Sequence, residues 1–163
     1  MTNFSEEYLP DAATNEQAVA WRAFFRTMTA IQTAFADRLK QQLSLTLADY
    51  HVLMALWDAP NHTLRMGQIA TAISYSPSRV SYLVSQLADR KLIEHELSPH
   101  DARGFTARLS RAGLAKAIEA MEIHQKLVRE MVLSGANEQI ISCLASFFAN
   151  LEYPSANDAG TRV

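Results

Sequence analysis

Between Met66 and Gly113 the chain reads MGQIATAISYSPSRVSYLVSQLADRKLIEHELSPHDARGFTARLSRAG, and no other stretch restricts the fold as much. Ser76 is a good N-cap and Pro77 is preorganised for the first helical position, so a helix is predicted from Pro77 to about Arg90. Its apolar residues Val80, Leu83, Val84 and Leu87 recur at i, i+3, i+4 and i+7, which gives it one buried stripe. Ahead of it, Met66–Ile73 reads as a brief helix, and Tyr75-Ser76 turns the chain. Behind it, Leu92–Leu97 and Phe105–Leu109 alternate as strands do, and residues 98–104 between them hold the proline, aspartate and glycine of a hairpin tip. Helix, turn, helix and hairpin in this order make a winged helix-turn-helix.

The flanks read as long helices. Residues 1–13 lack periodicity and are expected to be a disordered arm. Thr14-Asn15-Glu16-Gln17 is a capping box, and Trp21, Phe24, Phe25, Met28, Ile31, Phe35 and Leu39 then keep helical spacing to near Gln42. So many aromatics exceed what a small winged lobe needs to cover itself, which predicts burial against another chain. Thr46-Leu47-Ala48-Asp49 starts a second helix, and Asp58-Ala59-Pro60-Asn61 stops it because proline cannot continue the hydrogen-bond ladder. A short extended piece, His62–Leu64, follows. After the hairpin, Ser110 caps a helix with the stripe Leu114, Ile118, Met121, Gln125, Val128 and Val132, which Ser134-Gly135 breaks. Asn137 caps a last helix carrying Ile140, Ile141, Leu144, Phe147, Phe148 and Leu151, and the small, polar tail after it is expected to be disordered. The fold class is mainly α with a small β-wing.

Composition narrows the function classes. At 163 residues, 48% apolar and 20% charged, the chain suits one globular domain with no room for a second, catalytic one. The acidic, polar N-terminus is unlike a secretory signal, and no apolar run approaches the roughly 18 residues of a membrane span, so a cytoplasmic protein without membrane partners is expected. One cysteine, Cys143, excludes an internal disulfide and an all-cysteine metal cage. HExxH, GxSxG, CxxC and glycine-rich phosphate loops are absent, so no enzyme and no cofactor are expected. His51, His62, His95, His100 and His124 form no pair at ligand spacing, which leaves only a metal site assembled between subunits as an alternative. The net charge of −2 divides unevenly: −3 over residues 1–61, +3 over 62–113 and −2 over 114–163. The basic excess coincides with the winged segment, where phosphate neutralisation would need it.

Opposite the apolar stripe, the helix that Ser76 and Pro77 open presents Ser78, Arg79, Tyr82, Ser85 and Gln86, with Ser81 at the edge. Arginine can donate a bidentate pair to guanine, glutamine can pair with adenine, and hydroxyls adapt to bases or phosphates. A solvated helix face is the plain alternative; the Pro77 start and the downstream wing favour double-stranded DNA. At the hairpin tip, Asp101 is spaced to orient Arg103 toward a narrow minor groove, the alternative being an inconsequential surface ion pair.

In this order of elements, with SPSRVSYLVSQL at 76–87, Asp101-Ala102-Arg103-Gly104 at the tip and Leu109-Ser110-Arg111-Ala112-Gly113 after it, the chain resembles the MarR family of bacterial transcriptional regulators over residues 16–152. The resemblance implies a homodimer reading a palindromic operator, most often as a repressor. It divides the chain into an N-terminal dimerisation helix at 14–45, a DNA-binding lobe at 46–113, C-terminal dimerisation helices at 114–153 and a tail at 154–163. It also implies a small aromatic or anionic effector in a crevice between dimer helices and lobe. Trp21, Phe25, Met28, Tyr50, His51, Met54 and Trp57 are the candidate lining, with Arg65 as an anion partner, although aromatic stripes at helical spacing are more often core or interface. Alternatives on the same scaffold are a cysteine-based redox or metal-responsive regulator, or a winged helix that binds protein instead of DNA. Cys143, among apolar neighbours, reads as a buried, inert thiol. Two departures stand out: Lys91 occupies the place of a common glycine, and Glu94-His95-Glu96 puts acids where an arginine is frequent.

Overall fold

The computed structural model of the chain describes residues 15–97 and 105–150, so the arm at 1–13, the hairpin tip with Asp101 and Arg103, and the tail lie outside the described residues. Helix α1 (Asn15–Arg38) continues into a wider π turn over Leu39–Leu43. Ser44, at φ 54°, ends it in the left-handed region and lets its N–H reach back to the Lys40 carbonyl at 3.2 Å. Helix α2 (Leu47–Trp57) starts at the predicted capping box: Asp49 N donates to Thr46 Oγ1 at 3.1 Å, and Thr46 N donates to Asp49 Oδ2 at 2.9 Å.

Strand β1 (Thr63–Arg65), helix α3 (Met66–Ile73), helix α4 (Pro77–Asp89), strand β2 (Ile93–Leu97) and strand β3 (Phe105–Leu109) follow. The sheet is antiparallel with order β1-β3-β2, so the short extended piece foreseen at 62–64 becomes a third strand beside the hairpin. Helix α5 (Arg111–Val128) and a π turn at Arg129–Leu133 lead to helix α6 (Glu138–Ala149), capped by Asn137.

The core gathers Ile31 and Phe35 of α1, Leu39 of the π turn, Val52, Leu53 and Leu56 of α2, Ile69 of α3, the four stripe residues of α4, and Ile93, Leu109, Ala117, Ala120 and Leu127. Phe35 meets Tyr50 edge-on at 4.8 Å and His124 at 4.9 Å, joining three helices at one point. The face that α5 turns inward differs from the predicted stripe. Gly113, Ala117, Ala120 and Leu127 are buried while Ile118 is 44% exposed, because small side chains let α5 lie close against the lobe. In α1 the predicted stripe divides in a similar way: Ile31, Phe35 and Leu39 are buried, whereas Trp21, Phe24, Phe25 and Met28 stay exposed. Helix α6 buries no residue in the single chain and exposes Ile140, Ile141, Leu144, Phe147 and Phe148. Cys143 on this helix is exposed as well, a correction to the buried thiol expected from its neighbours, since those neighbours are themselves left exposed in the single chain.

Candidate nucleic-acid interface

Helix α4 is anchored at both ends before it presents anything. At its start, Ser76 Oγ accepts from Arg79 N at 3.4 Å and lies 3.2 Å from Ser78 Oγ, and Pro77 takes the first helical position. At its end, Arg90 donates from Nη1 to Asp49 Oδ2 at 3.3 Å and from Nη2 to the Ser44 carbonyl at 2.8 Å. Asp49 is the one buried charged or polar residue of the described chain, so this pair ties the end of α4 to the start of α2 across the lobe. Beyond Arg90, Lys91 adopts φ 59°, the left-handed conformation that explains why glycine would suit the position.

With Val80, Leu83, Val84 and Leu87 buried, the opposite face is in solvent: Ser78, Arg79, Ser81, Tyr82, Ser85 and Gln86 are all exposed, Tyr82 at 62%. Gln86 Nε2 donates to Tyr82 Oη at 2.8 Å, which couples two of these side chains along the helix. Ser81 Oγ donates to the Pro77 carbonyl at 3.0 Å, leaving its oxygen lone pairs outward. The guanidinium of Arg79 lies 4.3 Å from the centre of the Tyr75 ring. Hydroxyls, a carboxamide and one cation thus share a convex helical surface, a donor and acceptor set suited to base edges in a major groove.

In the sheet, Glu94 stands opposite Arg108 in register, and Arg108 Nη2 donates to its carboxylate. Glu94, one of the two acids that depart from the family pattern, is therefore paired with a cation on the next strand. Sequence reasoning passed over Arg108; the alternation of β3 and the hairpin register together would have placed it across from Glu94. Nothing is described of the Glu96 side chain.

The candidate effector residues are dispersed. His51 and Met54 line an open groove of about 450 Å³ with Ala55, Asp58, Ala72, Ile73 and Ser74, between α2 and the end of α3. Burial lowers the pKa of His51 below its ordinary value, favouring the neutral ring, and His51 Nδ1 is 3.3 Å from Tyr75 Oη. Tyr50 lies beside the groove, 6.1 Å from the His51 ring, with its pKa raised by burial and then by Asp58. Trp57 rests on His62 at 5.4 Å, and Arg65 is exposed at the end of β1; neither lines the groove. Trp21, Phe25 and Met28 belong to the exposed half of α1, where Trp21 stacks on Phe24 at 5.8 Å and Phe24 meets Phe148 of α6 at 6.1 Å. Among the described residues there is no group of three or more histidines, cysteines or acids that could hold a metal ion, and no helix is long and apolar enough to cross a membrane.

A helix-turn-helix followed by the antiparallel strands β2 and β3, with β1 from ahead of α3 completing the sheet, defines the winged helix-turn-helix class. Residues 43–104 match the MarR family model. Among solved structures, the chain is similar to Sco3205, a MarR family transcriptional regulator from Streptomyces coelicolor crystallised in complex with DNA (TM-score 0.74, 23% identity, 87% of this chain and 89% of that one). AbsC, a MarR family transcriptional regulator from the same organism, matches at TM-score 0.74 with 24% identity over 85% of this chain and 93% of that one. Bordetella bronchiseptica BpsR, whose DNA binding is regulated by 6-hydroxynicotinic acid, matches at TM-score 0.65 with 19% identity over 80% and 96%. At these identities the likeness is one of fold. No curated protein matches the sequence.

Proposed function

We propose that the chain is a cytoplasmic, homodimeric transcriptional regulator that reads a palindromic operator, with α4 in the major groove and the tip at 98–104 toward the minor groove, and that it acts as a repressor. The observation that carries the reading is the two-sidedness of α4: four apolar residues buried, and Ser78, Arg79, Tyr82, Ser85 and Gln86 exposed on a helix that both ends hold rigidly. Packing alone does not call for an arginine, a glutamine and three hydroxyls on that outer face. Sco3205 in complex with DNA supports the same use of the same fold. The exposed aromatics of α1 and α6 support dimerisation, since large apolar patches on an isolated chain mark surfaces that bury on association. The groove at His51, together with BpsR, supports control by a small aromatic or anionic molecule.

Selection of duplexes from a randomised pool by the full chain tests this. The expected winners carry inverted repeats with half-site centres about 10 bp apart, the spacing at which two recognition helices meet successive major grooves. Recovery of no preferred sequence would reject the reading.

A further inference from the structure

Tyr75 occupies the turn between α3 and α4, one residue ahead of the N-cap. Its backbone is fixed there: Ser74 before it adopts φ 55°, and Tyr75 N donates to the Ala70 carbonyl at 3.1 Å. The ring is partly buried against the core and is held from both sides. On the groove side its hydroxyl lies 3.3 Å from His51 Nδ1, with the two rings 6.1 Å apart. On the DNA-reading side its face carries the Arg79 guanidinium at 4.3 Å.

The geometry points to Tyr75 as a positioning residue for base readout by Arg79, an inference that rests on reading α4 as the DNA-contacting helix. A long arginine side chain loses rotamer freedom when it engages a base, and that loss weakens binding. Resting on an aromatic ring removes part of this freedom beforehand. The cation–π contact uses the face of the ring and leaves the guanidinium N–H donors for a partner, whereas a carboxylate would compete for them. Among the described residues, no ion pair is formed by Arg79. The hydroxyl of the same residue reaches His51, which lines the groove, so Tyr75 joins the candidate effector groove to the candidate base-reading arginine.

The test uses the full chain and the duplex it selects from a randomised pool, and reads the ratio of affinities for that duplex and for a scrambled one. This ratio does not depend on the fraction of protein that is folded. Tyr75→Leu removes the ring face and should lower the ratio by about 2- to 5-fold, as expected for an exposed cation–π contact. Tyr75→Phe keeps the face and should stay within about two-fold of the parent. In an Arg79→Ala background, Tyr75→Leu should change nothing more, because the partner is gone. A ring-current shift of the Arg79 side-chain protons, present in the parent and Tyr75→Phe and lost in Tyr75→Leu, checks the contact without DNA. If the parent selects no sequence, the reading of α4 fails and this proposal falls with it. If the parent selects a sequence and Tyr75→Leu keeps the full ratio, or Tyr75→Phe loses as much as Tyr75→Leu, the positioning role alone is overturned.

Discussion

Replacing Gly113 by alanine tests how the wing is joined to the body of the protein. In the first turn of α5, Gly113 N donates to Ser110 Oγ at 3.0 Å, and that hydroxyl donates to the Lys91 carbonyl at 2.7 Å. Ser110 N also donates to the Leu92 carbonyl at 3.1 Å, so the start of α5 is fastened to the segment that leads from α4 into β2. A methyl group at position 113 would lie 2.0 Å from the Leu92 carbonyl oxygen and 3.0 Å from its carbon. Both are backbone atoms, and no side-chain rotation relieves the overlap; the first turn of α5 must move away. Overpacking of this kind costs about 1–3 kcal/mol, and each hydrogen bond that opens adds about 1 kcal/mol, so a loss of about 2–5 kcal/mol is expected. In urea unfolding followed by circular dichroism, a slope of about 2 kcal/mol per molar turns this into a fall of about 1–2.5 M in the midpoint. A midpoint within error of the parent would refute the close approach of Gly113 to Leu92 and its role in seating the wing.

Three further outcomes follow from the same structure. Lys91→Gly should raise stability by about 0.5–1 kcal/mol in the same unfolding assay, because relief of the left-handed φ of 59° outweighs the greater freedom of glycine in the unfolded chain; a loss of stability would contradict this. The lowered pKa of His51 means that the unfolded chain takes up its proton first as pH falls through the ordinary value of 6.5. This share of stability is complete above that pH and lost as pH drops through the native value, so the parent should lose more stability than His51→Gln on acidification, and parallel pH profiles would count against it. Phe148→Glu, placed on the exposed face of α6 next to Phe24, should shift sedimentation from twice the chain mass, expected of the proposed dimer, toward 18.2 kDa, while an unchanged profile would remove α6 from the proposed contact.

What the sequence disclosed well was local. The capping residues Thr46, Ser76, Ser110 and Asn137 act within three residues of themselves, and each heads a helix in the structure as predicted. The brief α3 at Met66–Ile73 and the strand Phe105–Leu109 lie where the pattern put them, since helical and strand periodicities are also properties of short windows. Contacts distant along the chain were not legible. Arg90 reaches Asp49 across 41 residues and Arg38 reaches Glu130 across 92, and neither pair leaves a mark in either local stretch. The inward face of α5 was misjudged because the closest packing is made by Gly113, Ala117 and Ala120, residues that a search for large apolar side chains passes over. The reading face of α4 could be listed from its spacing, yet the Tyr75–Arg79 and Tyr82–Gln86 pairings within and beside it depend on side-chain directions that spacing alone does not specify. The candidate effector residues were grouped by the resemblance and not by any local pattern; in the single chain His51 and Met54 line the groove between α2 and α3, while Trp21 and Phe25 stand on the exposed half of α1.

The central claim, that the outer face of α4 reads DNA, is tested most directly by the salt dependence of binding to the selected duplex for the parent and for Arg79→Ala. The account predicts that affinity falls linearly with the logarithm of salt concentration for both proteins, and that Arg79→Ala loses about 1–3 kcal/mol of preference for the selected over the scrambled duplex. Binding that ignores salt, or an Arg79→Ala protein with its preference intact, would contradict it.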